Sequence, residues 1–160
     1  MNHAPQTLAR EGIAALIPHS GAMCLLARLE AWDLQRIVCA ATNHRATDHP
    51  LCTRSGLLAP CAIEYAAQAM ALHGALIGRA AGTPATPGYL ASARDVKLHV
   101  LRLDDLAMGD DGSAADALCI TATRQAGDAG RILYAFSVSH AGRPIADGRA
   151  AVVLNTSLAR

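Results

Sequence analysis

From Leu58 to Arg79 the chain is filled with Ala, Met, Leu and Ile on every side, with no proline after Pro60. Such a stretch is a helix of about five turns, and apolar residues all round mean that it is buried from all sides. Pro60 suits the first turn, where its missing N–H costs nothing. Gly82 with Pro84 and Pro87 marks the exit. The stretch is not a membrane span, because Leu57 to Ile77 carries Glu64, Gln68 and His73 and falls short of ~18–20 consecutive apolar residues. A helix of this kind needs a wrapper.

The rest of the chain supplies one. Tyr89 to Leu101, Asp116 to Gln125, Arg131 to His140 and Arg143 to Leu154 alternate in strand fashion between Gly- and Asp-containing turns. The turns GDAGR and HAGRP are short enough for hairpins, so the last three strands should form a meander. Upstream, Thr7 to Leu16 has a weak helical pattern closed by Pro18, and Ala22 to Trp32 reads as a strand or strand-like entry. Arg36 to Thr42 reads as a second strand, and Asn43 to Ser55 has loop chemistry. One apolar helix after one or two strands, followed by four antiparallel strands, is best satisfied if the sheet curls around the helix. That is the α+β hot-dog arrangement, expected here as a single domain over residues 1–160. A half-wrapped helix keeps one apolar surface open, so the sheets of two protomers are expected to continue edge to edge in a dimer.

Composition narrows the function. The 14 basic and 13 acidic residues are spread along the chain for a net charge of +1, which is no electrostatic footprint for nucleic acid. The start MNHAPQTLAREG has neither a basic segment before an apolar core nor a cleavage site, so a cytoplasmic location is expected. The five cysteines form no CxxC pair and are odd in number, as suits reduced, packed thiols. His49 and Cys52 lack a second ligand pair, so no metal is expected. No cofactor is expected either.

The segment HPLCTRSGLLAPCAIEYAAQAM resembles the signature of the 3-hydroxyacyl-ACP dehydratases, a loop histidine before a helix bearing an acidic residue, then a small pair and a glutamine. The matching positions are His49, Glu64, Ala67 and Gln68. His49 stands one residue farther from the carboxylate than in those enzymes, and their Gly-x-Pro and Met-Pro-Gly elements are missing. Upstream, IPHSGAMCLL from Ile17 to Leu26 looks like the opening shared by the same superfamily. With GYLASARDVKLHV and the DGRA of Asp147 to Ala150, the pattern is most similar to the dehydratase-like hot-dog proteins associated with aryl-polyene pigment biosynthesis, over roughly Leu16 to Leu154. The resemblance implies a histidine and an acid contributed by opposite protomers, and an acyl carrier protein bearing the substrate. It also implies that some members lack the loop histidine and serve as partners of an active dehydratase.

Dehydration of a 3-hydroxyacyl thioester needs a base for the α-proton, an acid for the departing hydroxyl and donors for the thioester oxygen. Glu64, among Ala62, Ile63, Tyr65 and Ala66, is the candidate acid, although a glutamate in a first turn also serves the helix dipole. His49 and His19 are the candidate bases. His49 before Pro50 would otherwise be an exposed loop histidine, and His19 could equally begin a strand. Gln68, one turn beyond Glu64, can orient it, its alternative being plain helix surface. Gln68 and the helix-start positions Pro60, Cys61 and Ala62 are the expected substrate-binding set, with free backbone N–H groups of the helix start at the thioester carbonyl. Cys61 is better read as a packed residue than a nucleophile, and His73 as a hydrogen-bonded core or interface residue. Arg79, Arg94, Lys97 and Arg102 are docking candidates for an acidic carrier protein, each equally at home as solvated charge. Two rival readings stand beside dehydration: thioester hydrolysis by a helix carboxylate acting on water, and a non-catalytic subunit that pairs with an active dehydratase as homodimer or heterodimer logic allows.

Overall fold

The computed structural model describes residues 5–83, 88–108, 116–128 and 130–154. The seven strands are β1 (Leu8–Ala9), β2 (Arg28–Trp32), β3 (Arg36–Ala41), β4 (Gly88–Leu98), β5 (Leu118–Gly127), β6 (Arg131–His140) and β7 (Arg143–Leu154). They form one antiparallel sheet in the order β1-β2-β3-β5-β6-β7-β4. A short helix α1 (Arg10–Ala14) follows β1, and the long helix α2 (Ala62–Ala80) is led by a 3-10 turn over Ala59–Cys61. Sheet and helix follow the hot-dog plan, and β5, β6 and β7 make the expected meander.

The period-2 pattern of the strands decides which face meets the helix. On β6, Ile132, Tyr134, Phe136, Val138 and His140 are buried, while Arg131, Leu133 and Ser137 face out. Leu118, Ile120 and Ala122 on β5 and Ile37 and Cys39 on β3 complete the wall. Against it α2 sets Tyr65, Ala66, Ala69, Met70, Leu72 and Leu76. Its alanines let the backbone approach the sheet closely. Burying each large apolar side chain such as Leu72 or Leu76 stabilises the fold by about 1.5–3 kcal/mol. Among the described residues no helix is long and apolar enough to cross a membrane.

The helix ends as its sequence suggests. Gly82 adopts φ +71°, the N–H of Gly82 reaches the C=O of Arg79 at 3.1 Å, and the N–H of Thr83 reaches that of Gly78 at 2.9 Å. This is the Schellman closure, in which a left-handed residue satisfies the last carbonyls. Pro84 and Pro87 lie outside the described residues.

Two elements depart from expectation. The helix sought over Thr7 to Leu16 is reduced to Arg10–Ala14, because Leu8 and Ala9 pair with Leu29 and Arg28 as β1. The strand sought over Ala22 to Trp32 begins only at Arg28. Gly21–Met23 is a 3-10 turn, and the backbone of Met23 and Leu25 is hydrogen-bonded to the Gln68 side chain instead of to a neighbouring strand.

Candidate active site

Glu64 lies in the first turn of α2. Its Oε1 meets His19 Nε2, from the loop after α1, at 3.2 Å, the two side chains being 34% and 26% exposed. Gln68 is fully buried and spends its whole amide on this arrangement. It accepts the N–H of Leu25 at 2.8 Å, donates to the C=O of Met23 at 2.7 Å and donates to Glu64 Oε1 at 3.2 Å. Arg10 adds donations to the carbonyls of Gly21 at 2.6 Å and Cys24 at 2.9 Å. The loop that carries His19 is therefore tied to the helix that carries Glu64.

The pair opens onto a cavity of about 310 Å³. Its walls are Pro18 and His19 from the loop, Glu64, Ala67 and Ala71 from one face of α2, and Tyr89 and Leu90 from β4. The helical residues recur at the three- and four-residue spacing of a single face, so Ala71 was within reach of periodicity reasoning. Tyr89 and Leu90 carried no such signal, since only the tertiary pairing of β4 with β7 brings that strand alongside α2.

His49 occupies a different setting. It is buried, its Nδ1 accepts the N–H of Leu51 at 3.0 Å, and its Nε2 lies 2.9 Å from the Tyr65 hydroxyl. The Nδ1 contact puts the ring proton on Nε2, which donates to Tyr65, and Tyr65 donates to Asn43 Oδ1 at 2.6 Å. Both ring nitrogens are thus engaged in tying the 43–53 loop to α2, and burial pushes the imidazole below its ordinary pKa. The exposed loop histidine of the alternative reading is not found. Within this chain the structure brings His19, not His49, to Glu64.

The helix start differs from expectation as well. Pro60 has no N–H, that of Cys61 goes to the Leu58 C=O at 3.0 Å, and that of Ala62 goes to Ala59. Pro60, Cys61, Ala62 and the buried Gln68 do not border the His19–Glu64 cavity, because the 3-10 turn consumes the donors that an open helix terminus would present. Burial raises the Cys61 thiol, as suits a packed residue. His73 is a core histidine: its Nδ1 accepts from the Tyr134 hydroxyl at 2.7 Å and its Nε2 donates to the Asp33 C=O at 2.7 Å.

A second polar cluster lies apart from this cavity. Asp116 accepts both arms of Arg45, at 2.8 Å on Oδ2 and 2.7 Å on Oδ1, and His140 Nε2 at 2.7 Å, with His44 Nε2 at 3.4 Å. The Arg45 guanidinium holds the Asp116 carboxyl well below the usual carboxylate range. His44, Asp116 and His140 offer ligand-type atoms within 4.8 Å of one another. The guanidinium already occupies the cation's place beside both carboxylate oxygens, so the cluster reads as an ion-paired clamp. Its residues are far apart in sequence, which is why it escaped the reading of the chain.

Comparison with curated proteins finds no match. Among solved structures, the chain is similar to the dehydratase heterocomplex ApeI:P from Xenorhabdus doucetiae, at 20% identity over 94% of this chain and 93% of that one, with a TM-score of 0.76. It is similar to AziG of S. sahachiroi at 19% identity, 87% and 97% coverage and TM-score 0.55. It is also similar to a hypothetical thioesterase with coenzyme A from Streptococcus pneumoniae, at 11% identity, 79% and 84% coverage and TM-score 0.56. These likenesses bear on the fold. The model of the ApeP-like family, described as ApeP dehydratase, matches residues 11–160, a span that takes in the loop of His19, all of α2 and every strand from β2 to β7, and the chain belongs to that family of dehydratases.

Proposed function

We propose that this protein dehydrates a 3-hydroxyacyl thioester held on an acyl carrier protein to the 2-enoyl thioester, as in aryl-polyene biosynthesis, with Glu64 and His19 as its acid–base pair. The observation that carries the assignment is the 3.2 Å contact between His19 Nε2 and Glu64 Oε1 on the wall of a cavity. His19 takes the α-proton, the electrons of that C–H bond form the new double bond, and the β-hydroxyl leaves as water with a proton from Glu64. The pair then holds imidazolium beside carboxylate, and return of the proton across the same contact resets it. The acyl chain runs along Ala67 and Ala71, whose small side chains leave it room.

The test is mass spectrometry of a 3-hydroxyacyl carrier protein incubated with the protein. Loss of one water is expected, reduced about 10²–10⁴-fold by Glu64→Gln and by His19→Asn, and retained by Tyr65→Phe, which breaks only the His49 relay. Release of free acid would make the protein a thioesterase. A second reading, a subunit that works only with another hot-dog protein, draws support from the heterocomplex among its structural relatives. Turnover that appears only after a second such protein is added would favour it.

A further inference from the structure

The outer face of the sheet, turned away from α2, has a hollow of about 230 Å³ on the same β4–β7 ribbon whose inner side borders the cavity. Arg94, Arg131 and Arg149 line it together with Ser92, Gln125 and Asp95. Arg94 and Arg149 stand directly opposite each other in the register of β4 with β7, an arrangement of like charges that weakens a strand pair. Immediately after Arg94 the ladder shifts register, and Asp95 takes φ +52°, which bends the strand around the hollow. Among the described residues no salt bridge engages any of these three arginines, whereas Arg28, Arg45 and Arg102 each have a carboxylate. Three guanidinium groups against one carboxylate leave a concave site with an excess of positive charge, flanked by hydroxyl and amide donors.

We propose that this hollow binds a phosphate group, with Arg94 and Arg149 donating to its oxygens and Arg131 closing the third side. Planar guanidinium forks match phosphate geometry and bind it in pairs, and a dianion between Arg94 and Arg149 turns their repulsion into attraction. Choosing phosphopantetheine as the phosphate-bearing ligand rests on the thioester-dehydration reading, in which a carrier protein brings that group to this chain.

Calorimetric titration of the intact protein with phosphopantetheine, pantetheine and inorganic phosphate tests this without turnover, so its failure is distinguishable from failure of the dehydratase reading. Phosphopantetheine is expected to bind at least about tenfold more tightly than pantetheine, and Arg149→Gln and Arg94→Gln are each expected to remove about that factor. Arg143→Gln, remote from the hollow, should change nothing. These arginines are exposed, so the variants fold, and Arg149→Gln should not lower Tm because it relieves the Arg94–Arg149 repulsion. If inorganic phosphate binds as tightly as phosphopantetheine and loses affinity in the same variants, the site stands and its ligand is free phosphate. Equal binding of pantetheine and phosphopantetheine, or affinities for both phosphate probes untouched by the arginine changes, would overturn the proposal.

Discussion

Removing the Gln68 amide leaves the N–H of Leu25 and the C=O of Met23 without partners and frees the loop that holds His19. Gln68→Leu is therefore expected to cost about 2–6 kcal/mol, since each of the two stranded polar groups costs about 1–3 kcal/mol. Denaturant titration reads the loss, and dehydration should fall with it even though Gln68 does not border the cavity. Because His19 and Glu64 contact each other at one wall, α-proton and hydroxyl should leave from the same side of the substrate. A 3-hydroxyacyl thioester deuterated at one α-position would report that stereochemistry, and random loss of label would contradict it. At this scale the sequence was informative about types and less so about pairings. The apolar helix start marked Glu64 and the motif marked His19 as candidates, and the structure sets the two 3.2 Å apart. The Gln68 contact with Leu25 spans 43 positions, and no local pattern encodes such a bond. Spacing from His49 to Glu64 says nothing of ring direction, which is set by Leu51 and Tyr65.

Among the elements, the β6–β7 hairpin carries a local strain. Its two turn residues, Ala141 and Gly142, take φ +50° and +76°, the left-handed pair of a type I′ turn. Glycine accepts that conformation freely, while alanine pays about 1 kcal/mol or more in crowding of its Cβ. Ala141→Asn, better suited to the left-handed region, should stabilise the protein by about 0.5–1 kcal/mol, seen as a higher Tm with unaltered activity. Strand positions were largely legible because alternation survives wherever one face is buried, as on β6. The stretch after Gly21 was not, since its apolar residues are buried by a loop whose backbone partners are a side chain and not a strand. β4 is exposed over much of its length, and its place beside β7 could be deduced only from the sheet closing behind the helix.

For the whole molecule, acid is the expected weakness. Burial is the chief cause that lowers the pKa of His44, His49 and His73. A depressed imidazole is neutral in the folded chain while the unfolded chain takes a proton near pH 6.5. The stability involved is fully present above that value and is lost as pH falls from it toward the lowered folded pKa. Asp104, held at about 2 by Arg102, and Asp116, held lower by Arg45, act later: their contribution is present above about 3.8 and disappears as pH falls below it. Tm should therefore decline between about pH 7 and 5 and fall again below about pH 4. A Tm flat from pH 7 to 5 would contradict the first step.

The two ends of the sheet are unequal. At one end stands β1, two residues long, and at the other β4, eleven residues long, with no strand along its outer side among the described residues. A strand-by-strand union can form at β4, and once two chains have joined there each shows the outside only its short end. Growth by sheet extension at β4 is therefore expected to stop at two chains instead of running on into a filament. Sedimentation at rising concentration should therefore reach a plateau at two chains.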